Sequence, residues 1–205
     1  AAGALLAAWG RGLQVPGSYY GSPLALGSAD ITLRALTNAS RALANGGVVS
    51  PVVLDPEREA GAVRPFRTSP VAGPRRVADA AATYLVTDVL ADNNARVRTF
   101  GLDSLLATHG FAAVKTGTSK DMRDNWCIGF TDRYTIGVWV GNASGAAMHQ
   151  VSGVSGAAPV WRALIGYLHA GRPSLAPVLP VGVVQLPITF DGAREPSRRE
   201  VFLAG

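Results

Sequence analysis

Three short apolar runs in the middle of the chain constrain the fold more than any other part of the sequence. They are residues 111–116, 126–131 and 134–140. Each run is rich in aromatic and β-branched residues, which is typical of β-strands. Only Asp132 and Arg133 separate the second run from the third. The sequence therefore predicts three consecutive antiparallel strands, the last two joined as a hairpin.

The second and third runs are apolar at successive positions, so both faces of the predicted sheet carry apolar side chains. A sheet with one face in water would alternate apolar with polar residues. We therefore expect helices to cover both faces. The fold class predicted in this way is α+β, with an antiparallel sheet flanked by helices.

Three segments carry apolar residues at helical spacing: residues 28–45, 77–90 and 157–170. Ser28 is predicted to cap the first helix, and Gly46 and Gly47 to end it. The second helix is predicted to bury a stripe that includes Ala81 and Val89, and to end at residues 92–94.

A polar motif, Lys115-Thr116-Gly117-Thr118-Ser119, leaves the first predicted strand. Lys115 brings a compact cation, and Thr116 and Thr118 place two hydroxyls on one face, which together suit a carboxylate. Gly117 lets a ligand backbone approach closely, as when an extended peptide pairs with a strand edge. The N–H that follows Gly117 suits an oxyanion. The motif alone also fits a strand that simply ends in a polar turn.

Sequence on both sides of this motif resembles the transpeptidase domain of class A penicillin-binding proteins, and more narrowly the penicillin-binding protein 1C type. The resemblance is carried by KTGTS and the following RDNWCIGFTDRYTIGVWVGN, with support from residues 22–28, 31–33, 44–47 and 151–161. Residues 195–205 resemble the start of the extra C-terminal domain of that type. The implied fold is that of serine β-lactamases and transpeptidases, in an incomplete form.

The chain departs from the family pattern in one respect. Serine acyltransferases of this class carry S-x-x-K, S-x-N and K-T-G, and only K-T-G occurs in this sequence. The resemblance thus implies that the chain is the C-terminal part of a larger enzyme whose missing N-terminal part holds the serine nucleophile. The chain by itself is expected to be inactive.

The activity implied by the resemblance is that of a peptidoglycan D,D-transpeptidase, with acyl transfer from stem peptides that end in D-Ala-D-Ala. Lys115 and Thr118 would be catalytic, and Thr116, Gly117, Thr118 and Ser119 would bind substrate. Stem peptides and β-lactams are the expected partners, and no cofactor or metal is implied. The implied location is periplasmic, with a tether to the inner membrane through residues outside this chain.

Two other functions stay open. A non-catalytic peptide-binding or assembly module would use the same strand edge without the missing serine. A serine β-lactamase of related fold is disfavoured, because that smaller enzyme has no need of the C-terminal extension. Arg123 and Asp124 either orient the site or form a surface ion pair, and the ion pair is favoured.

Composition excludes some functional classes. The formal net charge is +5, but the basic residues are scattered and do not alternate with aromatic residues, which argues against nucleic-acid binding. No apolar run is long enough for a transmembrane segment. The single cysteine, Cys127, is expected to be a buried apolar residue of a strand. His109, His149 and His169 lack metal-ligand spacing.

The predicted domain organisation has three parts. Residues 1–172 form the C-terminal portion of the transpeptidase domain, and residues 173–180 form a proline-rich linker. Residues 181–205 form the first strands of a C-terminal β module, which is too short to be stable alone.

Overall fold

The computed structural model describes residues 30–52, 73–101, 104–193 and 196–205. The helices are α1 (Leu33–Ala44), α2 (Ala80–Ala91), α3 (Asn93–Phe100) and α4 (Ala158–Leu168). The strands are β1 (Val48–Val49), β2 (Arg75–Arg76), β3 (Ala113–Thr118), β4 (Asp124–Phe130), β5 (Thr135–Gly141), β6 (Val183–Ile188) and β7 (Arg198–Leu203). Short helical turns occupy Lys120–Met122, Gly153–Ala157 and Asp191–Ala193, and the second of these is a π-helical turn.

The central sheet has the order β3-β4-β5 and is antiparallel throughout, which confirms the three predicted strands. β3 extends two residues beyond the predicted end, because Gly117 and Thr118 pair with Trp126 and Asn125 of β4. The K-T-G motif therefore lies inside the strand instead of leaving it.

Helices cover both faces of this sheet, as predicted, and two glycines allow them to pack closely. A Cβ at Gly137 would lie 2.0 Å from Oγ1 of Thr37 on α1. On the opposite face, a Cβ at Gly129 would lie 2.6 Å from Cζ2 of Trp161 on α4. The sheet is thus the middle of three layers, with α1 on one side and α4 on the other.

The main apolar core lies between the sheet and α4. Its members are buried residues of the sheet, of the segment before it and of the helix: Leu106, Ala112, Val114, Cys127, Val138, Ala157, Ala158, Trp161 and Ile165. Trp161 and Cys127 have no exposed surface. Burial of apolar surface on this scale is the principal force that holds the helix on the sheet.

The first helix begins later than predicted. Thr32 caps it, and its Oγ1 accepts a hydrogen bond from Ala35 N at 3.2 Å. Ser28, the predicted cap, lies outside the described residues. The predicted end is confirmed, because Gly46 and Gly47 both have positive φ, a conformation that glycine adopts without steric cost.

The second helix starts at Ala80, where the Asp79 carboxylate accepts hydrogen bonds from two backbone N–H groups of the first turn. Its predicted apolar stripe is partly wrong: Ala81 is buried, but Val89 is 71% exposed. Thr83 and Thr87 are buried instead. Thr83 Oγ1 donates to Asp79 O at 2.7 Å, so its hydroxyl is satisfied within the helix and its burial costs little.

Helix α3 was not predicted. Asp92 does not simply end α2; its Oδ1 accepts hydrogen bonds from Asn94 N and Ala95 N, and it thereby caps α3. The residues of α3, NNARVRTF, lack an apolar period from which a helix is recognised. Within the described residues, no helix has the length and apolar character needed to cross a membrane.

The C-terminal residues form a separate hairpin of β6 and β7. Residues 173–180 carry no regular secondary structure, and Ser174 fixes them to the segment just before β3. Its Oγ donates to Phe111 O at 2.6 Å, and its carbonyl accepts from Phe111 N at 3.3 Å. β7 packs against α2. The predicted division into domain, linker and β module stays a prediction.

The position of Asp88 on α2 yields a testable pH dependence. Burial raises the pKa of Asp88 above its ordinary value of 3.8, and Glu200 and Asp92 raise it further. A raised carboxyl pKa contributes stability at low pH that is lost as the pH rises through the folded-state pKa. Asp88→Asn should therefore stabilise the protein at pH 7 and raise its melting temperature. Because the site is partly solvated, the gain in the free energy of unfolding should be less than about 1 kcal/mol.

The same substitution should have almost no effect near pH 3, where Asp88 is protonated in both states. Thermal melts at the two pH values measure the difference. Asp30→Asn, at an exposed position, is the matched control. An equal effect at both pH values would contradict the raised pKa of Asp88.

Candidate functional site at the free edge of the central sheet

The alternation of hydrogen-bonded pairs between β3 and β4 shows which backbone groups of β3 do not bond to β4. Ser119 N donates to Asp124 O at 2.9 Å. Because hydrogen-bonded pairs alternate along an antiparallel ladder, Gly117 and Lys115 also bond to β4. Thr116 and Thr118 then direct their N–H and C=O groups away from β4. In the described part of the chain no further strand pairs with β3, so this edge is open.

The side chains of the motif divide between the two faces of the sheet. Thr116 and Thr118 share one face, as predicted, and α4 covers this face. Lys115 lies on the face of α1, since it is in register with Ile128 and Gly137. Its Nζ nevertheless donates to Thr116 O at 2.5 Å, so the flexible side chain brings the cation around to the open edge.

Thr118 is exposed at the end of the strand, and one distant residue fixes its side chain. Gly153 N donates to Thr118 Oγ1 at 3.0 Å. A hydroxyl has one proton and two acceptor positions. The proton of Thr118 therefore remains able to donate to a ligand, beside the outward backbone N–H of the same residue.

Ser119, which was predicted to bind substrate, uses its hydroxyl within the turn. Its Oγ donates to Asp124 Oδ2 at 3.0 Å and accepts from Asp124 N at 2.9 Å. The other carboxylate oxygen of Asp124 accepts from Trp139 Nε1 at 2.9 Å. Arg123 pairs with Asp121 at 3.6 Å, not with Asp124. The arrangement fixes the end of β3, and a ligand contact of Ser119 stays a prediction.

Gly117 is open to one side. A Cβ at this position would meet nothing closer than Cβ of Trp126, at 3.7 Å. This is ordinary van der Waals contact, and the φ of Gly117 is not in the left-handed region. Neither packing nor backbone conformation therefore requires glycine here.

Asn125 was not predicted to matter, although it stands directly opposite Thr118 in the ladder. Its side chain is fully buried. Its Oδ1 has no hydrogen-bond partner, and its Nδ2 lies 4.0 Å from Met148 Sδ. A buried amide without a strong partner costs free energy, and no feature of the sequence distinguished this asparagine from the polar link before it.

Cys127 is the buried strand residue that the sequence predicted. Burial raises the pKa of its thiol to about 12, against a smaller opposite effect of Arg96. At pH 8 the thiol is therefore almost entirely protonated. A nucleophilic role is therefore disfavoured, because the thiolate is the reactive form.

An aromatic disulfide reagent at pH 8 should accordingly leave the native protein unlabelled and modify one thiol per chain in denaturant. The absorbance of the released thiolate measures both reactions. Rapid labelling of the native protein would contradict the burial of Cys127.

His169 follows α4 and binds the hairpin turn between β4 and β5. Its Nε2 lies 3.0 Å from Thr131 Oγ1, and its Nδ1 accepts from the Arg133 guanidinium at 2.5 Å. Arg133 also donates to Arg172 O and Pro173 O. Over the residues that the structure describes, no group of three or more histidine, cysteine or acidic side chains has the geometry of a metal site.

Known proteins with similar sequences are penicillin-binding proteins. The chain is 31% identical over 166 residues to penicillin-binding protein 1A of Neisseria lactamica, covering 78% of this chain and 21% of that protein. It is 30% identical over 137 residues to penicillin-binding protein 1C of Escherichia coli, covering 67% and 16%. The chain thus spans about a fifth or less of these curated relatives. No protein-family model matches it.

A solved penicillin-binding protein has a similar fold. The crystal structure of penicillin-binding protein 1A from Haemophilus influenzae superposes with a TM-score of 0.67 and 18% identity, covering 89% of this chain and 33% of that one. The α+β prediction is confirmed, and the fold is that of a transpeptidase domain of penicillin-binding proteins. Over much of its length, the chain therefore belongs to the class A penicillin-binding proteins.

Proposed function

We propose that this chain is the K-T-G-bearing part of a peptidoglycan D,D-transpeptidase. The observation that carries the proposal is the open edge of β3, where Thr118 presents an outward N–H and a hydroxyl with its proton available. A peptide that ends in D-Ala-D-Ala offers an extended backbone and a terminal carboxylate. These groups complement a strand edge and a hydroxyl–cation pair.

In the proposed complex the ligand lies along β3. The Thr118 N–H donates to the carbonyl oxygen of the penultimate D-Ala, where negative charge develops during acyl transfer. The hydroxyls of Thr116 and Thr118 bind the terminal carboxylate. Lys115, whose ammonium already reaches the edge at Thr116 O, supplies positive charge. Ser119 acts indirectly, because its bonds to Asp124 hold the end of the strand.

The proposed reaction needs a nucleophile from outside this sequence. A serine oxygen attacks the penultimate carbonyl carbon, and the peptide C–N bond breaks. The terminal D-Ala leaves as the amine, having taken up a proton. The amine of a second stem peptide then attacks the ester, which releases the serine and forms the cross-link. No S-x-x-K motif occurs in the 205 residues, so we assign the serine to residues beyond this chain.

The openness of Gly117 supports close approach of a ligand. Packing leaves room for a larger residue at this position, so the absence of a side chain is explained better by a ligand backbone than by the fold. Relatives named penicillin-binding proteins favour β-lactams as further ligands. A periplasmic location, with a tether outside this chain, belongs to the same proposal.

A non-catalytic peptide-binding module is the second candidate. It is favoured by the absence of S-x-x-K and S-x-N from the sequence, and it uses the same edge and the same residues. The two candidates differ in whether a covalent bond forms in the protein that contains the serine, not in how this chain holds the peptide.

Titration of a peptide ending in D-Ala-D-Ala into the 205-residue chain tests the shared binding step. Calorimetry should show saturable binding that Thr118→Val weakens by about 10–100-fold, the equivalent of one hydrogen bond to a charged group. Thr99→Val, at an exposed threonine of α3, is the matched control and should bind normally. Equal loss in both variants, or no binding at all, would remove the proposed function.

Intact mass spectrometry with a β-lactam tests where the serine resides. The chain alone should gain no covalent mass, whereas a longer protein that contains the serine should gain the mass of one β-lactam. A stoichiometric adduct on the 205-residue chain would show that the nucleophile lies within it.

A further inference from the structure

Gly153 approaches the end of β3 more closely than any side-chain-bearing residue could. It is buried at the start of the π-helical turn Gly153–Ala157. A Cβ at Gly153 would lie 2.6 Å from Gly117 O and 2.7 Å from Trp126 O. Both oxygens belong to the paired backbone of β3 and β4, which cannot yield without damage to the ladder. Glycine at this position is therefore required by packing and not by its own backbone conformation.

This close approach has one polar consequence. The Gly153 N–H donates to Thr118 Oγ1 at 3.0 Å and so fills one acceptor position of the hydroxyl. Among the described residues no acceptor binds the hydroxyl proton. The preferred ligand group at Thr118 is then a strong acceptor. An ionised carboxylate oxygen binds this proton more strongly than the neutral carbonyl oxygen of an amide does, and the hydrogen bond from Gly153 N strengthens the hydroxyl as a donor.

The turn that carries Gly153 is held in place without any ligand. Ser155 Oγ accepts from Ser152 N at 2.9 Å, and Ser152 Oγ accepts from Ser155 N at 3.3 Å, in a reciprocal capping box. π-helical turns are rare and occur frequently at functional sites. The Gly153 amide is thus fixed before a ligand arrives, and its bond to Thr118 needs no rearrangement on binding.

We propose that Gly153 is a positioning residue that makes this edge selective for a carboxylate over a neutral peptide end. It acts through Thr118, by setting the polarity of the hydroxyl, and does not touch the ligand. The inference rests on the proposed function, because it assumes that a peptide C-terminus occupies the edge. It adds to that function a contributor to the ligand selectivity, in a residue 35 positions beyond Thr118.

The test compares two peptides that differ only in their C-terminal group. One ends in the D-Ala-D-Ala carboxylate and the other in the corresponding C-terminal amide, and calorimetry gives the affinity of the 205-residue chain for each. Wild-type protein should prefer the carboxylate by about tenfold or more. In Gly153→Ala the added Cβ must move the turn away from β3 and its N–H away from Thr118 Oγ1. The variant should lower the carboxylate preference several-fold and change the affinity for the amide peptide much less, while Lys115 supplies the preference that remains.

Gly166→Ala is the matched control, because a Cβ at Gly166 on α4 would meet nothing within 4 Å. It should keep the wild-type preference. A substitution that merely perturbed the fold would lower the affinity for both peptides by a similar factor. The ratio of the two affinities therefore separates a positioning role from a structural one.

A second measurement covers the case in which Gly153→Ala does not fold. In the ¹H–¹⁵N spectrum, Thr118→Val removes the acceptor and should move the Gly153 amide proton upfield, whereas Thr118→Ser should leave it nearly in place. Thr118→Ser should also keep the carboxylate preference that Thr118→Val loses. An unmoved Gly153 amide in Thr118→Val would overturn the proposal.

The outcomes also distinguish this inference from the function on which it rests. If wild-type protein binds neither peptide, the proposed function fails and the positioning role fails with it. If wild-type protein binds the carboxylate peptide and Gly153→Ala keeps the full preference, only the positioning role fails.

Discussion

Replacing Trp161 by alanine is expected to lower the free energy of unfolding by about 3–5 kcal/mol, the usual cost of truncating a large buried aromatic side chain. Trp161 has no exposed surface and belongs to the core between α4 and the sheet. Its ring edge fills the space above Gly129. Because the neighbouring glycine offers no side chain that could collapse into the cavity, we expect a value near the upper end.

Tyr167→Ala on the same helix is the control. The tyrosine is 80% exposed, so its loss should change stability by no more than about 0.5 kcal/mol. Urea unfolding followed by circular dichroism measures both variants. A difference of less than about 1 kcal/mol between them would mean that α4 does not close the core.

Trp161→Phe separates packing from polarity at the same site. Trp161 Nε1 is buried without a hydrogen-bond partner, a situation that costs about 1–3 kcal/mol. Phenylalanine removes this N–H and keeps most of the ring. The free energy gained by removing the unpaired N–H should therefore offset much of the free energy lost with the smaller ring. We expect Trp161→Phe to cost less than about 1.5 kcal/mol, well below the alanine variant. Equal costs would show that the N–H has a partner in solution.

The sequence predicts the central sheet well because strand signals are local. β-branched and aromatic residues concentrate in β3, β4 and β5, and glycine marks where helices pack closest. The helix boundaries are predicted less well because capping depends on geometry: Thr32 caps α1, and Asp92 both follows α2 and begins α3. The burial of Thr87 in place of Val89 reflects which side of α2 meets the sheet, and the sequence of the helix alone does not contain that information.

The sequence likewise predicts some features of the candidate site and misses others. The motif predicts that Thr116 and Thr118 share a face, because alternation is a property of any strand. It does not reveal that Gly153 bonds to Thr118, because that contact joins residues far apart in sequence. Nor does it show that Ser119 uses its hydroxyl on Asp124. Residue types thus indicate the chemistry of the edge, while tertiary packing decides which of its hydrogen-bonding groups remain available.

Thr118→Pro is expected to produce the largest loss of peptide binding among single substitutions in β3. Valine at this position removes the hydroxyl and keeps the N–H, whereas proline removes both groups. If each binds the ligand as proposed, valine should weaken binding by about 10–100-fold, and proline by a further factor of about 3–10 for the second, neutral hydrogen bond.

Proline can be compared with valine at position 118 because the backbone N–H of this residue does not bond to β4. The Thr118 N–H points away from β4, so proline there removes no bond of the β3–β4 ladder, and edge strands tolerate proline under that condition. Gly117→Pro, one residue earlier, deletes an N–H that bonds to β4 and should destabilise the sheet.

Thr118→Pro and Thr118→Val both delete the acceptor of the Gly153 N–H, so thermal melts should show these two variants close to each other and Gly117→Pro clearly lower. Calorimetry should show weaker peptide binding in Thr118→Pro than in Thr118→Val. If Thr118→Pro and Thr118→Val bound the peptide with equal affinity, the Thr118 N–H would make no contact with the ligand, and its assignment to the oxyanion would have to be abandoned. If Thr118→Pro instead melted as low as Gly117→Pro, that N–H would belong to the ladder, and the edge of β3 would not be open at Thr118.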